Sequence, residues 1–276
     1  MKYVHVEGAD VPVLGLGTWR LAGQACYDMV RAALEIGYRH IDTAQTYFNE
    51  EEVGRAIRDS GLAREMVFLT TKLGFDKVSR SDVMQSTEES LGKLKTDYVD
   101  LLLIHWPSKI TPLAETLETM ADLHKHERVR HLGVSNFPSA LLVEACGIAR
   151  SLGVGIVANQ VEYHPYLSQE KLLETCRKED VMVTAYAPTA RAKVLGDEVL
   201  KGIAGRHGKS PIQVTLRWLI QQEQVAAIPK SAHLERVKSN FEIFDFELSE
   251  EEMKSIFALA RGGRMLNPGI APKWDE

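Results

Sequence analysis

The sequence predicts an α/β fold, specifically a (β/α)8 TIM barrel, and three observations indicate it. Short, β-rich apolar runs alternate with amphipathic helical segments, which favours parallel strands joined by right-handed crossovers. Eight such runs occur within the 276 residues, a length typical of a closed barrel. No Gly-rich dinucleotide-binding turn follows the first strand, which disfavours an open doubly wound sheet. Because no linker or change of composition interrupts the pattern, we expect one domain over residues 1–276.

The first predicted element is a β-hairpin over residues 1–13, because "VHVEGADVPVLGLG" alternates around the turn-forming stretch Gly8-Ala9-Asp10. We expect this hairpin to close the bottom of the barrel. The run "VDLLLI" is apolar at nearly every position, as is typical of strands buried on both faces. The eight barrel strands are predicted at 14–19, 38–44, 67–72, 99–105, 131–136, 157–163, 181–188 and 225–231.

Helices are predicted between these strands. The helix from Asn49 to Ser60 is expected to begin with a capping box formed by Asn49 and Glu52 and to stop at Gly61. Two other clear helical segments cover 82–94 and 167–180. Residues 262–276 form a C-terminal tail, which we expect near the substrate pocket.

Composition and charge exclude several classes of function. The net charge of −5 and the pI of about 6.0 argue against nucleic-acid and anionic-membrane partners. The three cysteines are widely spaced and form no CxxC pair, and the histidines lack metal-ligand spacing, so we expect no metal site. The chain has no signal-peptide pattern and no apolar run of about 20 residues, so a cytoplasmic protein is expected.

Polar or reactive side chains end nearly every predicted strand. Polar groups at the ends of apolar strands are costly to bury without partners. The carboxyl ends of barrel strands converge on one face, so we expect these side chains to surround one cavity. They are Asp42, Lys72, His105, Ser135, Asn136, Gln160, Tyr186, Lys230 and Ser231, with Tyr47 five residues beyond Asp42.

Four of these residues suit the reduction of a carbonyl group. A phenol has a pKa of about 10, and an adjacent ammonium lowers it. We therefore expect Lys72, held by Asp42, to lower the pKa of Tyr47 and make it a proton donor, while His105 orients the carbonyl oxygen. No side chain can deliver hydride, so the same face should bind a nicotinamide cofactor.

Two further groups of polar residues suit that cofactor. One group can bind the carboxamide or stack on the nicotinamide ring: Ser135, Asn136, Gln160 and Tyr186. The second lies beside a helix start and is basic and rich in donors, which suits a phosphate such as the ribose 2′-phosphate of NADP(H): Lys230, Ser231, Arg236 and Asn240.

The chain resembles the aldo-keto reductase superfamily from the hairpin to the tail. Eight motifs in order carry the resemblance: "LGLGTW", "YRHIDTAQTYFNEEEVG", "LTTKL", "VDLLLIHWP", "GVSNF", "NQVEYHPY", "AYAP" and "IPKS". The resemblance implies that Asp42, Tyr47, Lys72 and His105 are the catalytic tetrad, with Tyr47 as the proton donor. It also implies cofactor binding by the two groups above and by Pro188, and a substrate pocket formed by Trp19, Phe48, His105 and Trp106.

The segment "DTAQTYFNEEEVG" and the ending "NPGIAPKWDE" are similar to those of bacterial members of the superfamily. The expected reaction is NADPH-dependent reduction of a small α-oxoaldehyde or a keto-sugar acid, such as methylglyoxal or 2,5-diketo-D-gluconate, by a monomer. Arg264 in the tail is expected to be solvated, although it could meet a substrate carboxylate. Two alternatives stay open: a cofactor-binding regulatory or structural protein on the same barrel, and a lyase that forms a Schiff base through Lys72.

Overall fold

The computed structural model describes residues 2–275 and begins with the predicted hairpin. Strands β1 (Tyr3–Val6) and β2 (Ala9–Pro12) pair antiparallel. The turn lies at Glu7 and Gly8, slightly earlier than expected, and both residues have positive φ, as tight hairpin turns require. The hairpin packs at the amino ends of the barrel strands, where Pro12 O lies 3.3 Å from Nδ1 of His40. Met1 and Glu276, the outer residues of the predicted hairpin and tail, lie outside the described residues.

Eight parallel strands follow and confirm the predicted barrel. Along the sheet they lie in chain order from β3 to β10, so each strand pairs with the next one in sequence. Their bounds are β3 Leu16–Gly17, β4 His40–Asp42, β5 Phe68–Leu73, β6 Val99–Ile104, β7 Val129–Ser135, β8 Ile156–Glu162, β9 Met182–Tyr186 and β10 Val225–Ala227.

Hydrogen bonds between the last strand and the first close the sheet into a barrel. Ala227 N donates to Val13 O at 2.8 Å, and Gly15 N donates to Ala227 O at 2.9 Å. Every residue of β5 and β6 is buried, as expected for strands covered on both faces. β5 and β8 have the predicted length, β7 is one residue longer, and the other five strands are shorter, most of all β3, β4 and β10.

Helices surround the barrel, and one follows nearly every strand. Two helices, α7 and α8, lie between β9 and β10, and α9 and α10 follow β10. Within residues 2–275 none of the helices has the length and apolar character needed to cross a membrane. The bounds are α1 Gly23–Ile36, α2 Glu50–Asp59, α3 Arg80–Leu94, α4 Leu113–Lys125, α5 Ser139–Ser151, α6 Glu170–Lys178, α7 Glu198–His207, α8 Pro211–Ile220, α9 Leu234–Phe241 and α10 Glu250–Phe257.

The capping box predicted for α2 is wrong, although the helix has nearly the predicted bounds. Asn49 occupies the N-cap position, but its side chain makes no capping hydrogen bond. Instead its amide donates to Thr18 O at 3.0 Å and to Leu21 O at 2.8 Å, and its oxygen accepts from Thr43 Oγ1 at 2.7 Å. A buried loop with unpaired carbonyls competes successfully for the side chain, because orphaned buried acceptors are costly. Gly61 has a φ of +74°, which fits its predicted role as a helix stop.

Candidate active site

A cavity of about 500 Å³ opens at the carboxyl ends of the barrel strands. Its lining includes Trp19 after β3, Tyr47 after β4, His105 after β6 and Tyr186 at the end of β9. Leu266, far beyond the last helix, completes one wall. The strand-end residues therefore meet on the face where barrel enzymes hold their sites.

Lys72 and Asp42 form a buried ion pair at this cavity, and Asp42 is one of the residues that line it. Asp42 ends β4 and pairs with Thr70 on the neighbouring strand β5. Lys72 lies two residues beyond Thr70 on that strand. Lys72 Nζ lies 2.5 Å from Asp42 Oδ1, and the two side chains are 0% and 2% exposed. Burial lowers the pKa of Lys72, while the attraction of Asp42 opposes this change. The ammonium also donates to Thr43 O at 2.8 Å.

Tyr47 lies at the end of a 3-10 turn, Gln45–Tyr47, directly after β4. Gln45 fixes this turn, because its oxygen accepts from Gly74 N at 2.8 Å and its amide donates to Ser90 Oγ at 3.1 Å. The turn brings the phenol oxygen of Tyr47 to 3.5 Å from Lys72 Nζ.

The pKa of Tyr47 differs from the expectation. Burial, with a further contribution from the Asp42 carboxylate, raises the pKa of Tyr47 well above its ordinary value. The predicted lowering by Lys72 is therefore wrong for this structure, because desolvation of the phenolate outweighs the attraction of the ammonium. Tyr47 consequently keeps its proton at neutral pH.

His105 faces the ring of Tyr47 at the cavity wall. The two ring centroids lie 5.8 Å apart, with the planes at 77°. Burial, assisted by the positive charge of Lys72, lowers the pKa of His105 to about 3. The imidazole is thus neutral at physiological pH, and its Nδ1 lies 3.5 Å from Thr46 Oγ1.

The neutral residues predicted to hold a nicotinamide form one hydrogen-bonded network with the tetrad. Gln160 Nε2 donates to Asp42 Oδ2 at 2.7 Å, and Tyr186 OH donates to Asn136 Oδ1 at 2.8 Å. Ser135 Oγ donates to the backbone oxygen of Gln160 at 2.8 Å. All four side chains line the cavity: Ser135, Asn136, Gln160 and Tyr186.

The predicted phosphate-binding residues are grouped around α9. Lys230 lines the cavity, and Arg236 lies exposed in the first turn of the helix. Within residues 2–275, neither cation makes a salt bridge. Ser231 and Asn240 are buried beside them, and Pro188 lines the cavity after β9.

Not all of the predicted substrate-pocket residues line the cavity. Trp19 and Trp106 line the cavity. Phe48 does not line it; its backbone is left-handed and its side chain is 89% exposed. Arg264 is half-buried, not solvated, because its guanidinium stacks on the ring of Trp274 at 3.7 Å.

A model of the aldo/keto reductase family matches residues 13–261, which is most of the chain. The chain belongs to the aldo/keto reductase family. Methylglyoxal reductase DkgB of Escherichia coli O157:H7 is 40% identical over 268 residues, which cover 96% of this chain and 99% of the relative. Glyoxal reductase of Bacillus subtilis (strain 168) is 40% identical over 271 residues, covering 98% of this chain and 95% of the relative.

Solved structures share the fold of this aldo/keto reductase. A crystal structure with the provisional name 2,5-diketo-D-gluconic acid reductase B superimposes with a TM-score of 0.97 at 46% identity, covering 100% of this chain and 98% of that chain. The aldose reductase of Schistosoma japonicum superimposes with a TM-score of 0.93 at 32% identity, covering 98% of this chain and 96% of that chain.

Aldo/keto reductases use nicotinamide cofactors, and the polar groups of this reductase fit one. The same cavity is lined by His105 at the candidate chemical centre and by the cation Lys230. Amide and hydroxyl side chains line the same cavity, and such groups can bind a carboxamide. Within residues 2–275 no group of three or more His, Cys, Asp or Glu side chains is placed to hold a metal ion.

Several residues of this aldo/keto reductase site were missed in the sequence. Gln45 is one, although its position two residues before Tyr47 in a polar loop was a usable signal. Phe75 and Arg191 also line the cavity, but loop residues carry no periodicity that would point to a wall. Glu162 was missed as well; a carboxylate at the end of an apolar strand is the same signal that indicated Asp42.

Proposed function

We propose that this aldo/keto reductase uses NADPH to reduce an aldehyde or a ketone to the alcohol, with Tyr47 as the proton donor. The observation that carries the proposal is the contact of the half-buried Tyr47 OH with the buried Lys72 Nζ at 3.5 Å, beside the neutral imidazole of His105. A protonated phenol and a neutral N–H donor at one cavity wall are what a carbonyl oxygen needs as it gains negative charge.

NADPH, when bound, supplies the hydride that goes to the carbonyl carbon. We assign to His105 the tautomer with its proton on Nε2, since Nδ1 lies 3.5 Å from the hydroxyl of Thr46, and this proton would be donated to the carbonyl oxygen. The oxygen then takes the proton of Tyr47 as the carbon–oxygen double bond becomes single. The phenolate left behind is stabilised by Lys72, whose charge is balanced by Asp42.

The polar groups around the cavity are proposed to hold the cofactor. Asn136 and Gln160, with the hydroxyl of Ser135, would orient the carboxamide, and the ring of Tyr186 would stack on the nicotinamide. The phosphate-binding set would be Lys230, Ser231, Arg236 and Asn240, with Pro188 alongside the cofactor. Lys230 and Arg236, which make no salt bridge to any other residue of the part of the chain that the structure describes, support NADPH over NADH, because the 2′-phosphate would provide a counter-charge.

We propose small α-oxoaldehydes or keto-sugar acids as the carbonyl substrates. The names of the similar proteins support these classes, since they include methylglyoxal, glyoxal and 2,5-diketo-D-gluconic acid reductases. Trp19 and Trp106 form apolar walls of the cavity of about 500 Å³, which suits a small carbonyl compound. Burial disfavours the alternative Schiff-base lyase, because Lys72 is 0% exposed and bound by Asp42 and Thr43.

The test is to measure NADPH oxidation by the wild type and by Tyr47→Phe, with methylglyoxal and with 2,5-diketo-D-gluconate as substrates. The loss of NADPH absorbance reports the rate. We expect kcat of the variant to fall by about 10²- to 10⁴-fold, because the proton donor is gone. The Kd for NADPH, measured by fluorescence quenching, should stay within about twofold of the wild type, since the phenol oxygen is not assigned to cofactor binding.

The outcomes separate the alternatives. A Tyr47→Phe enzyme with full kcat would exclude Tyr47 as the acid. Wild-type protein that binds NADPH but reduces no carbonyl compound would favour the regulatory or structural alternative. Equal kcat/KM with NADH and NADPH would exclude the proposed role of the cations around α9.

A further inference from the structure

Glu162 is a fully buried carboxylate that the proposed mechanism does not use. It is the last residue of β8, two positions beyond Gln160, and it is 0% exposed. His164 Nε2 donates to its Oε1 at 2.9 Å. A buried carboxylate is tolerated only when its oxygens are well satisfied, so its remaining partners indicate what it holds.

Those partners are backbone amides of the distant C-terminal segment. Met265 N donates to Oε1 of Glu162 at 2.7 Å, and Leu266 N donates to Oε2 at 2.9 Å. The hydrogen bonds lower the pKa of Glu162 even though burial alone would raise it. The carboxylate is therefore ionised, and both contacts are charge-assisted hydrogen bonds.

We call residues 263–275 the C-terminal strap. The strap passes over the cavity, because Leu266, Pro268 and Ile270 all line it. The strap is held at its start by a hydrogen bond from Gly263 N to Tyr166 O at 2.8 Å. Immediately after the two amides bound by Glu162, the strap becomes a wall of the cavity.

The far end of the strap is fastened separately. Asp275 Oδ2 accepts from both the backbone N, at 2.8 Å, and the Oγ, at 2.7 Å, of Ser139 at the start of α5. Trp274 packs edge-on against Trp106, with ring centroids 6.2 Å apart. Between these two fastenings the strap has no regular secondary structure, so its position over the cavity depends on its anchors.

We propose that Glu162 is a positioning residue for the carbonyl substrate: by binding the amides of Met265 and Leu266, it holds the strap as the wall against which the substrate is oriented. This proposal rests on the proposed function, because it assigns the strap to the substrate side of the same cavity. It adds to that function a residue that touches neither substrate nor cofactor. His164 assists by holding Oε1 of the same carboxylate.

The decisive variant is Glu162→Gln, which keeps the shape of the side chain but replaces one acceptor oxygen with a donor. We expect KM for methylglyoxal to rise about tenfold, while kcat and the Kd for NADPH stay within about twofold. Trypsin cleavage after Arg264, followed by intact mass, should become at least tenfold faster, because the strap opens more often.

Glu252→Gln is the matched control. Glu252 is also a buried carboxylate that accepts from a histidine ring and a backbone amide, namely His207 Nε2 at 2.9 Å and Ser249 N at 3.0 Å. It lies on α10 and makes none of its hydrogen bonds to the strap. This variant should lose stability but keep the wild-type KM and the wild-type rate of cleavage after Arg264.

The two readouts distinguish failure of this proposal from failure of the proposed function. Wild-type cleavage and wild-type KM in a folded Glu162→Gln protein would overturn the positioning role. Faster cleavage of Glu162→Gln, together with a wild type that reduces no carbonyl compound, would support the role of Glu162 in holding the strap. The same result would contradict the proposed reductase function. If Glu162→Gln does not fold, amide hydrogen exchange in the wild type decides, because unprotected amides at Met265 and Leu266 would contradict the proposal.

Discussion

At the scale of single residues, the ion pair of Asp42 and Lys72 explains how two charges persist in the barrel. Removing charges from water is costly unless every donor and acceptor finds a partner. Lys72 donates to Asp42, to Thr43 O and towards Tyr47 OH, which accounts for its three protons. The second oxygen of Asp42 accepts from Gln160. The pair therefore links the candidate proton donor to the proposed nicotinamide site.

Asp42→Asn should destabilise the protein strongly, because it leaves the Lys72 ammonium buried without its counter-ion. Breaking one side of a buried pair costs about 3–5 kcal/mol, which corresponds to a fall in Tm of about 10 °C for a protein of this size. Differential scanning calorimetry measures this change.

The double variant Asp42→Asn/Lys72→Met separates charge from packing. It should recover most of the lost Tm, because no unpaired charge remains. Its rate of carbonyl reduction should nevertheless stay below that of the wild type. A double variant as unstable as Asp42→Asn alone would mean that shape, not the orphaned charge, causes the loss.

At the scale of elements, the start of α2 holds in place the turn that carries the candidate proton donor. Asn49 ties the loop after β3 to the loop after β4, through Thr18 and Leu21 on one side and Thr43 on the other. The turn that carries Tyr47 lies directly before this junction. The residue type at the N-cap was readable from the sequence, but its hydrogen-bond partners were not.

Asn49→Asp tests which role the side chain has. A carboxylate is as good an N-cap as an amide, so a capping residue would tolerate the change. Because the amide of Asn49 donates to two carbonyls, we expect a loss of at least about 2 kcal/mol in the free energy of unfolding. Urea unfolding measures it.

Ser249 provides the comparison, because it is a true N-cap that forms a capping box with Glu252 at the start of α10. Ser249→Asp should change the free energy of unfolding by less than about 0.5 kcal/mol. Equal effects at the two positions would contradict the tethering role of Asn49.

At the scale of the whole molecule, barrel closure places titratable groups in surroundings where they cannot ionise. Burial lowers the pKa of His40, at the amino end of β4, and lowers that of His105 to about 3. In the unfolded chain both histidines have a pKa of about 6.5. Below that pH the unfolded state binds protons that the folded state does not, so stability must fall as the pH falls.

We therefore expect His105→Gln to make the stability less sensitive to acid. Between pH 7 and pH 5 the wild type should lose about 1–2 kcal/mol more of its free energy of unfolding than the variant. Urea unfolding at both pH values measures the difference. If the two proteins lose the same amount, His105 is protonated in the folded state and its assigned neutral form is incorrect.

The sequence by itself determined the barrel and the face on which its candidate active site lies. Eight apolar runs, nearly all of them closed by a polar residue, predicted parallel strands that share one face, because periodicity and residue type act locally. The meeting of Asp42, Lys72 and His105 could be predicted for the same reason, since each lies at or next to the end of a barrel strand.

Only the tertiary structure decided which partners those residues meet. Asn49 caps no amide, burial raises the pKa of Tyr47, Phe48 faces solvent, and Glu162 binds amides 103 and 104 residues away. Each of these outcomes depends on a neighbour far along the chain or on the depth of burial. Neither can be read from local pattern, because both arise only when the barrel closes and the strap folds back over it.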